Sequence, residues 1–314
     1  MNEARRASNL SVAREFRDSS QGRIGAWRRV FRGHGLNIAV QSNDRTVLDA
    51  LALDTVPGLV PADGESPDLK YTVQVSCSGG WPRCDVYLGT RKIAEGMEVL
   101  QTPGFVQSHV ESTVASAAPT EVFVHAGAVA WNGRLILLPG RSYSGKTTLV
   151  REFLSRGATY YSDEFAVVDF SGRIHAYPRP LNLRSGDWLT DPERAAGGEV
   201  ASSRAGHRAM ESGCACDKRV WKMGVHPVRP DLVVFASYQP AGRWRAERLT
   251  PGCTALELMA NTVAARSRTK FALHCLKEIA QRVTAYRTVR GEAVTAADHV
   301  LSLLAGVHDS KPNN

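Results

Sequence analysis

A chain of 314 residues with a hydrophobic fraction of 43% and a formal net charge of +8 can bury a real globular core, as two domains or one large one. Its first residues carry no apolar signal-peptide run, and no stretch approaches the roughly 18 apolar residues of a membrane span, so no membrane partner is expected. Six cysteines, Cys77, Cys84, Cys214, Cys216, Cys253 and Cys275, form no disulfide framework, which points to a reduced cytoplasmic setting.

Much of the positive charge falls in residues 1–34, where Arg5, Arg6, Arg14, Arg17, Arg23, Arg28, Arg29 and Arg32 outnumber Glu3, Glu15 and Asp18. No recognition motif or aromatic platform accompanies them. The stretch therefore reads as an irregular, solvated basic arm; nucleic acid is not the expected partner, and an acidic peptide stays open. Residues 35–118 read as a small α/β domain. Leu36–Val40 alternates like a strand, and Asp44 is placed to cap a helix running toward Leu53. Pro57, Gly58, Pro61, Gly64 and Pro67 mark a loop. Tyr71–Cys77, Cys84–Leu88 and Arg91–Ala94 follow as strands, and residues 106–117 suit a helix. This domain carries no chemical motif.

Residues 119–314 read as a second, larger α/β domain. Glu121–Val129 is a strand that turns at Asn132-Gly133, a strong hairpin signal, into the apolar run Leu135–Leu138. A glycine loop and a helix over Thr148–Leu154 come next, and Gly157 stops the helix. Thr159–Tyr161 is the following strand, with Asp163 and Glu164 at its end. Phe165–Phe170 and Arg173–Tyr177 form a hairpin turned at Ser171-Gly172. Residues 185–230, rich in Gly, Ser, Arg and Pro, read as a flexible insertion. Strands at Leu232–Ala236, Trp244–Leu249 and Ala285–Val289 and helices near 253–264, 269–283 and 293–305 complete the chain.

The loop is Gly140-Arg141-Ser142-Tyr143-Ser144-Gly145-Lys146-Thr147, followed by Thr148, and it fits the phosphate-binding pattern G-x-x-x-x-G-K-[ST] in its required strand–loop–helix setting. Glycines let successive N–H groups turn inward, and the helix start adds partial positive charge. Lys146 suits the β- and γ-phosphate oxygens and the Thr147 hydroxyl suits Mg2+, so the pattern predicts a nucleoside triphosphate, ATP first among them.

Asp163 lies 17 positions after Lys146, the length of one helix, a glycine stop and a short strand. A right-handed crossover returns the chain parallel to its first strand, so Asp163 and Glu164 are expected on the phosphate side. Carboxylates there can take the proton of an attacking hydroxyl and hold Mg2+. A transporter ATPase is disfavoured, since its acidic pair lies far downstream of the loop and its L-S-G-G-Q type signature is missing. His125 stands at a strand end feeding the hairpin. Arg179 and Arg184, within Pro178–Arg184, suit the charge of a transferring phosphoryl group, or else form a solvated turn between prolines. Cys214-Ala215-Cys216, with His207 and Asp217 near it, is a weak metal signal.

His125-Ala126-Gly127, the loop Gly140–Thr147, and Arg156-Gly157 leading to Ser162-Asp163-Glu164 resemble the HPr kinase/phosphorylase catalytic domain over residues 120–185. The resemblance implies a PEP-carboxykinase-like fold and ATP-dependent phosphorylation of a serine on a protein, with Asp163 as general base and His125 as the active-site histidine. Tyr143 replaces the loop's middle glycine, Glu164 replaces a second aspartate, and the H-L-E-I-R-G signature has no counterpart, so an HPr-type kinase/phosphorylase acting on a phosphocarrier protein stands as the alternative reading rather than the first. The arrangement looks more like the HPr-kinase-related proteins of bacterial peptide-modification clusters, including those that phosphorylate a lasso precursor peptide. The expected machinery is then Asp163, Lys146, His125, Arg179 and Arg184 for transfer, the loop through Thr148 for nucleotide, and Thr147 with Glu164 for metal. A homo-oligomer is expected by resemblance alone.

Overall fold

The computed structural model describes residues 27–64, 66–78, 80–141, 144–179 and 221–307. The chain divides into two compact units between Thr120 and Glu121. Each is a mixed α/β assembly with a mixed sheet.

Among the described residues, the first unit contains β1 (Trp27–Gly33), β2 (Leu36–Ser42), β3 (Val60–Pro61), β4 (Leu69–Ser78), β5 (Trp81–Leu88) and β6 (Arg91–Glu98), in the order β3-β1-β2-β4-β5-β6. Only β2 and β4 run parallel among these pairs. Period-2 alternation buries Ile38, Val40, Tyr71, Val73, Cys84 and Val86. Helix α1 (Arg45–Ala50) begins at Asp44, whose carboxylate accepts from the Val47 N–H at 3.1 Å. Helix α2 (Thr102–Ala117) starts at a proline-bearing first turn and buries Val106, Val110 and Val114 at i, i+4 spacing. The Tyr71 hydroxyl donates to Thr113 of that helix at 3.0 Å.

The strand β1 replaces the later part of the basic arm expected over 1–34; residues 1–26 lie outside the described residues. Phe31 is buried and Val30 half-buried while Arg28, Arg29 and Arg32 stay exposed, and arginines at those positions hid the alternation. The turn is His34-Gly35, with φ of 53° and 75° as a primed hairpin turn requires. Arg29 pairs with Asp49 at 2.5 Å, and Arg45 lies over the Trp27 ring at 5.2 Å.

The second unit has β7 (Glu121–Trp131), β8 (Arg134–Pro139), β9 (Thr159–Ser162), β10 (Phe165–Asp169), β11 (Ile174–His175), β12 (Pro230–Tyr238), β13 (Arg245–Arg248) and β14 (Thr284–Arg290). Their order is β11-β10-β7-β8-β12-β14-β13, and β9 pairs with β7 beside β10. β8, β12 and β14 run parallel, while β7 is antiparallel to β8, β9 and β10. The hairpin from β7 to β8 turns at Asn132 and Gly133, both with positive φ.

Strand residues alternate between two buried faces. Leu135 and Leu137 pack with Val233, Phe235 and the helices α4 (Pro251–Ala260) and α5 (Thr269–Ala280). Ile136 and Leu138 pack with Leu232, Val234 and the helices α3 (Lys146–Ser155) and α6 (Ala293–Gly306). Burial on both faces explains the continuous apolar run before the loop. No helix among the described residues is long and apolar enough to cross a membrane.

The expected insertion over 185–230 is only partly described, since 180–220 lie outside the described residues. Its last part is tied down. The Tyr160 N–H donates to Lys222 O at 2.7 Å and the Gly224 N–H to Tyr160 O at 2.8 Å. Ile174 and Val228 exchange two backbone hydrogen bonds, at 2.8 and 3.0 Å. Single-residue bridges such as these leave no periodic signature, which is why the sequence reads as irregular there.

Candidate active site

The phosphate-binding pattern sits where β8 ends and α3 begins. Gly145, at φ 81°, is the residue before the first helical turn, a left-handed conformation that suits glycine. The Gly140 N–H donates to the His125 carbonyl at 3.0 Å, which ties the loop to β7. The Lys146 amine donates to the carbonyls of Gly140 (2.6 Å) and Arg141 (2.8 Å), folding its side chain back over the loop. Burial pushes the Lys146 amine down from its ordinary pKa, and the carboxylates of Glu164 and Asp163 oppose that shift. Thr147 and Thr148 open α3, and Ser142 and Tyr143 lie outside the described residues.

Strand β9 pairs antiparallel with β7, which is itself antiparallel to β8, so β9 runs in the direction of β8 with one strand between them. Asp163 follows directly at its end and is 6% exposed. Its carboxylate accepts from the Tyr160 hydroxyl at 2.7 Å, and the Thr147 side chain is near enough to favour its charged form. Burial raises the Asp163 pKa, as does the neighbouring Glu164, while Tyr160, Thr147 and Arg179 act in the opposite sense. From this strand end the Asp163 charge acts on Lys146.

Glu164 is more open and pairs loosely with Arg179, at 3.9 Å. The Arg179 carbonyl lies 3.0 Å from the Tyr160 hydroxyl, so β9 also anchors the segment that presents this arginine. Arg184 lies outside the described residues. The His125 ring packs on Phe165 with centroids 4.7 Å apart, and its pKa is lowered by burial and by Lys146. Among the described residues no group of three or more His, Cys, Asp and Glu side chains is arranged to hold a metal ion, and Cys214 and Cys216 lie outside them.

Two functional candidates escaped the sequence reading. Tyr160 looks like a core aromatic, yet its hydroxyl holds Asp163. Arg290, last residue of β14, is buried and donates from Nη2 to the Gly145 carbonyl at 2.7 Å. The strand-end rule that located Asp163 could have flagged Arg290, because β14 is parallel to β8 through β12.

Tyr160→Phe keeps the ring in the core and deletes one donor to a buried carboxylate. The expected loss of stability is about 1–3 kcal/mol, read as a lower urea midpoint with unchanged slope. A midpoint equal to wild type would remove this hydrogen bond from the set that holds Asp163. No protein-family model matches the sequence, and no curated protein matches it significantly.

Proposed function

We propose that the chain is an ATP-dependent kinase that transfers the γ-phosphoryl group to a serine hydroxyl of a peptide or protein, on an HPr-kinase-like catalytic unit. The observation that carries the reading is the carboxylate of Asp163, buried at the end of β9, held by the Tyr160 hydroxyl and within electrostatic reach of Lys146. A phosphate loop alone would support a nucleotide binder. A carboxylate beside its hydroxyl, supplied by the next strand, supports transfer to an acceptor.

Each residue has a distinct task in this reading. The loop amides and Lys146 neutralise the phosphates, the lysine exchanging its two loop carbonyls for phosphate oxygens. Asp163 accepts the proton of the serine hydroxyl as its oxygen bonds to the γ-phosphorus, and the bond to the bridging oxygen breaks to release ADP. Burial raises the Asp163 pKa, which makes it a stronger base than an exposed aspartate. Tyr160 fixes one carboxylate oxygen and leaves the other for the acceptor. Arg179 is placed to screen developing negative charge. The available oxygens suit Mg2+, which takes one or two carboxylates together with substrate phosphates; Thr147 and Glu164 would hold it. When bound, Mg2+ supplies charge neutralisation at the β- and γ-phosphates.

His125 is proposed to face the same phosphates as a neutral imidazole, since burial and Lys146 both disfavour its charged form. The acceptor class follows from the resemblance, with lasso and other ribosomally made precursor peptides foremost. The test is incubation of the full chain with Mg2+, ATP and serine-containing peptides, followed by intact-mass measurement. A gain of one phosphoryl group on a peptide, absent when serine is replaced by alanine, is the expected result. ATP hydrolysis with no acceptor modified across a broad peptide and protein panel would overturn the kinase reading.

A further inference from the structure

Arg290 is the most deeply buried cation in contact with the phosphate loop among the described residues, at 2% exposure. A guanidinium carries five N–H donors. One on Nη1 donates to Gly291 O (2.8 Å), one on Nη2 donates to Gly145 O (2.7 Å), and the buried Nε has no hydrogen-bond partner. No carboxylate forms an ion pair with it among the described residues. Glu292 acts on it only through space, and the Glu292 carboxylate accepts from the Tyr238 hydroxyl at 3.2 Å. The Tyr238 ring lies 5.2 Å from the guanidinium carbon.

A guanidinium in such surroundings stays charged, because arginine does not give up its proton in proteins. Burying that charge without a carboxylate is unfavourable, and two carbonyl hydrogen bonds, the Tyr238 ring and the more distant Glu292 offset the cost only in part. A second unpartnered polar atom lies close by. Among the described residues the Ser144 Oγ is buried without a hydrogen-bond partner, and Ser144, Gly145, Lys146 and Arg290 line one cleft at the start of α3, with Leu138, Leu149, Val234 and Ala236 as its apolar side. The helix start adds its own partial positive charge there. An unneutralised guanidinium, an unused hydroxyl and a helix N-terminus in one small cleft form a site for an anion.

We propose that Arg290 is a phosphate-recognition residue: it fixes the Gly145 carbonyl and supplies the buried positive charge that the polyphosphate of the nucleotide neutralises. The inference rests on the reading of Gly140–Thr147 as a nucleotide phosphate loop, and assigns the last strand of the sheet a part in it. Arginine serves here because its planar fork can hold two backbone carbonyls while keeping further donors free. A lysine has the charge without that geometry.

The experiment compares wild type, Arg290→Met and Arg290→Lys as full chains, by calorimetric titration and thermal melting with pyrophosphate, ADP and ATP in Mg2+. Arg290→Met is expected to melt, without ligand, at or above the wild-type temperature, because a buried charge with no ion-pair partner is gone. Its affinity for all three ligands is expected to fall at least about 10-fold, with Arg290→Lys between the two. A loss confined to ADP and ATP would place Arg290 at the base or sugar and overturn the inference. Wild-type affinity for pyrophosphate in every variant that folds would likewise overturn it, leaving Arg290 a structural strut. Should the Met variant not fold, the Lys variant decides by the same comparison. These measurements need no acceptor: a wild type that binds but never transfers phosphate sinks the kinase reading and still decides the role of Arg290.

Discussion

Asp163→Asn is expected to bind ATP with wild-type affinity and to transfer phosphate about 10²–10⁴-fold more slowly, the range general-base catalysis contributes. Asparagine has the shape of aspartate, and its side-chain oxygen can still accept from Tyr160, so the loop and β9 stay in place. What it lacks is the capacity to take a proton. The sign of the stability effect is opposite to that of the rate. The folded-state pKa of Asp163 is raised by burial, so the fold disfavours its charged form at neutral pH. Asparagine removes that cost, and the variant is expected to melt at or above the wild-type temperature at pH 7, with the gap narrowing as pH falls through the folded-state pKa of Asp163. Equilibrium nucleotide titration and single-turnover transfer, run side by side, check both halves. Transfer at the wild-type rate would take Asp163 out of the role. Lys146→Met serves as contrast, since it is expected to lose binding and transfer together.

Phe153→Ala is expected to cost about 3–5 kcal/mol of stability, close to the whole margin of a marginal domain. Phe153 is fully buried on α3, among Ile136, Leu138 and Val150 and the α6 residues Val300 and Leu304. Alanine there leaves a cavity in the layer that clamps α3 to the sheet. That helix begins with Lys146 and Thr147, so the phosphate loop inherits its position from this packing. Phe153→Leu retains much of the volume and is expected to cost less than about 1.5 kcal/mol. Urea unfolding of both variants gives the comparison. Equal midpoints for the Ala variant and wild type would mean that the layer collapses onto the gap and that α3 is not held by it.

Much of this site is legible in the residues because its parts are local. Leu135–Leu138 carries the strand, Gly145 the turn and Leu149, Val150, Phe153 and Leu154 the buried side of the helix. The 17-position interval to Asp163 carries the crossover. Those signals are short-range, so each survives without knowledge of the rest of the chain. Other parts are silent for equally physical reasons. Strand β1 is masked by arginines on its outer side, and Trp221–Arg229 joins the sheet through isolated bridges rather than a run. Tyr160 carries two roles, ring in the core and hydroxyl on Asp163, and hydrophobic spacing reveals only the first.

By itself the sequence determined the strand, loop and helix that present Lys146 and Thr147, and the interval that brings an acid to the end of the next parallel strand. Backbone preference and hydrophobic spacing act over a few turns of chain, and they suffice for that. Only the tertiary structure decided that Arg290 meets Gly145, 145 positions earlier. That contact depends on β12 standing between β8 and β14, an order chosen by how two faces of helices cover the whole sheet.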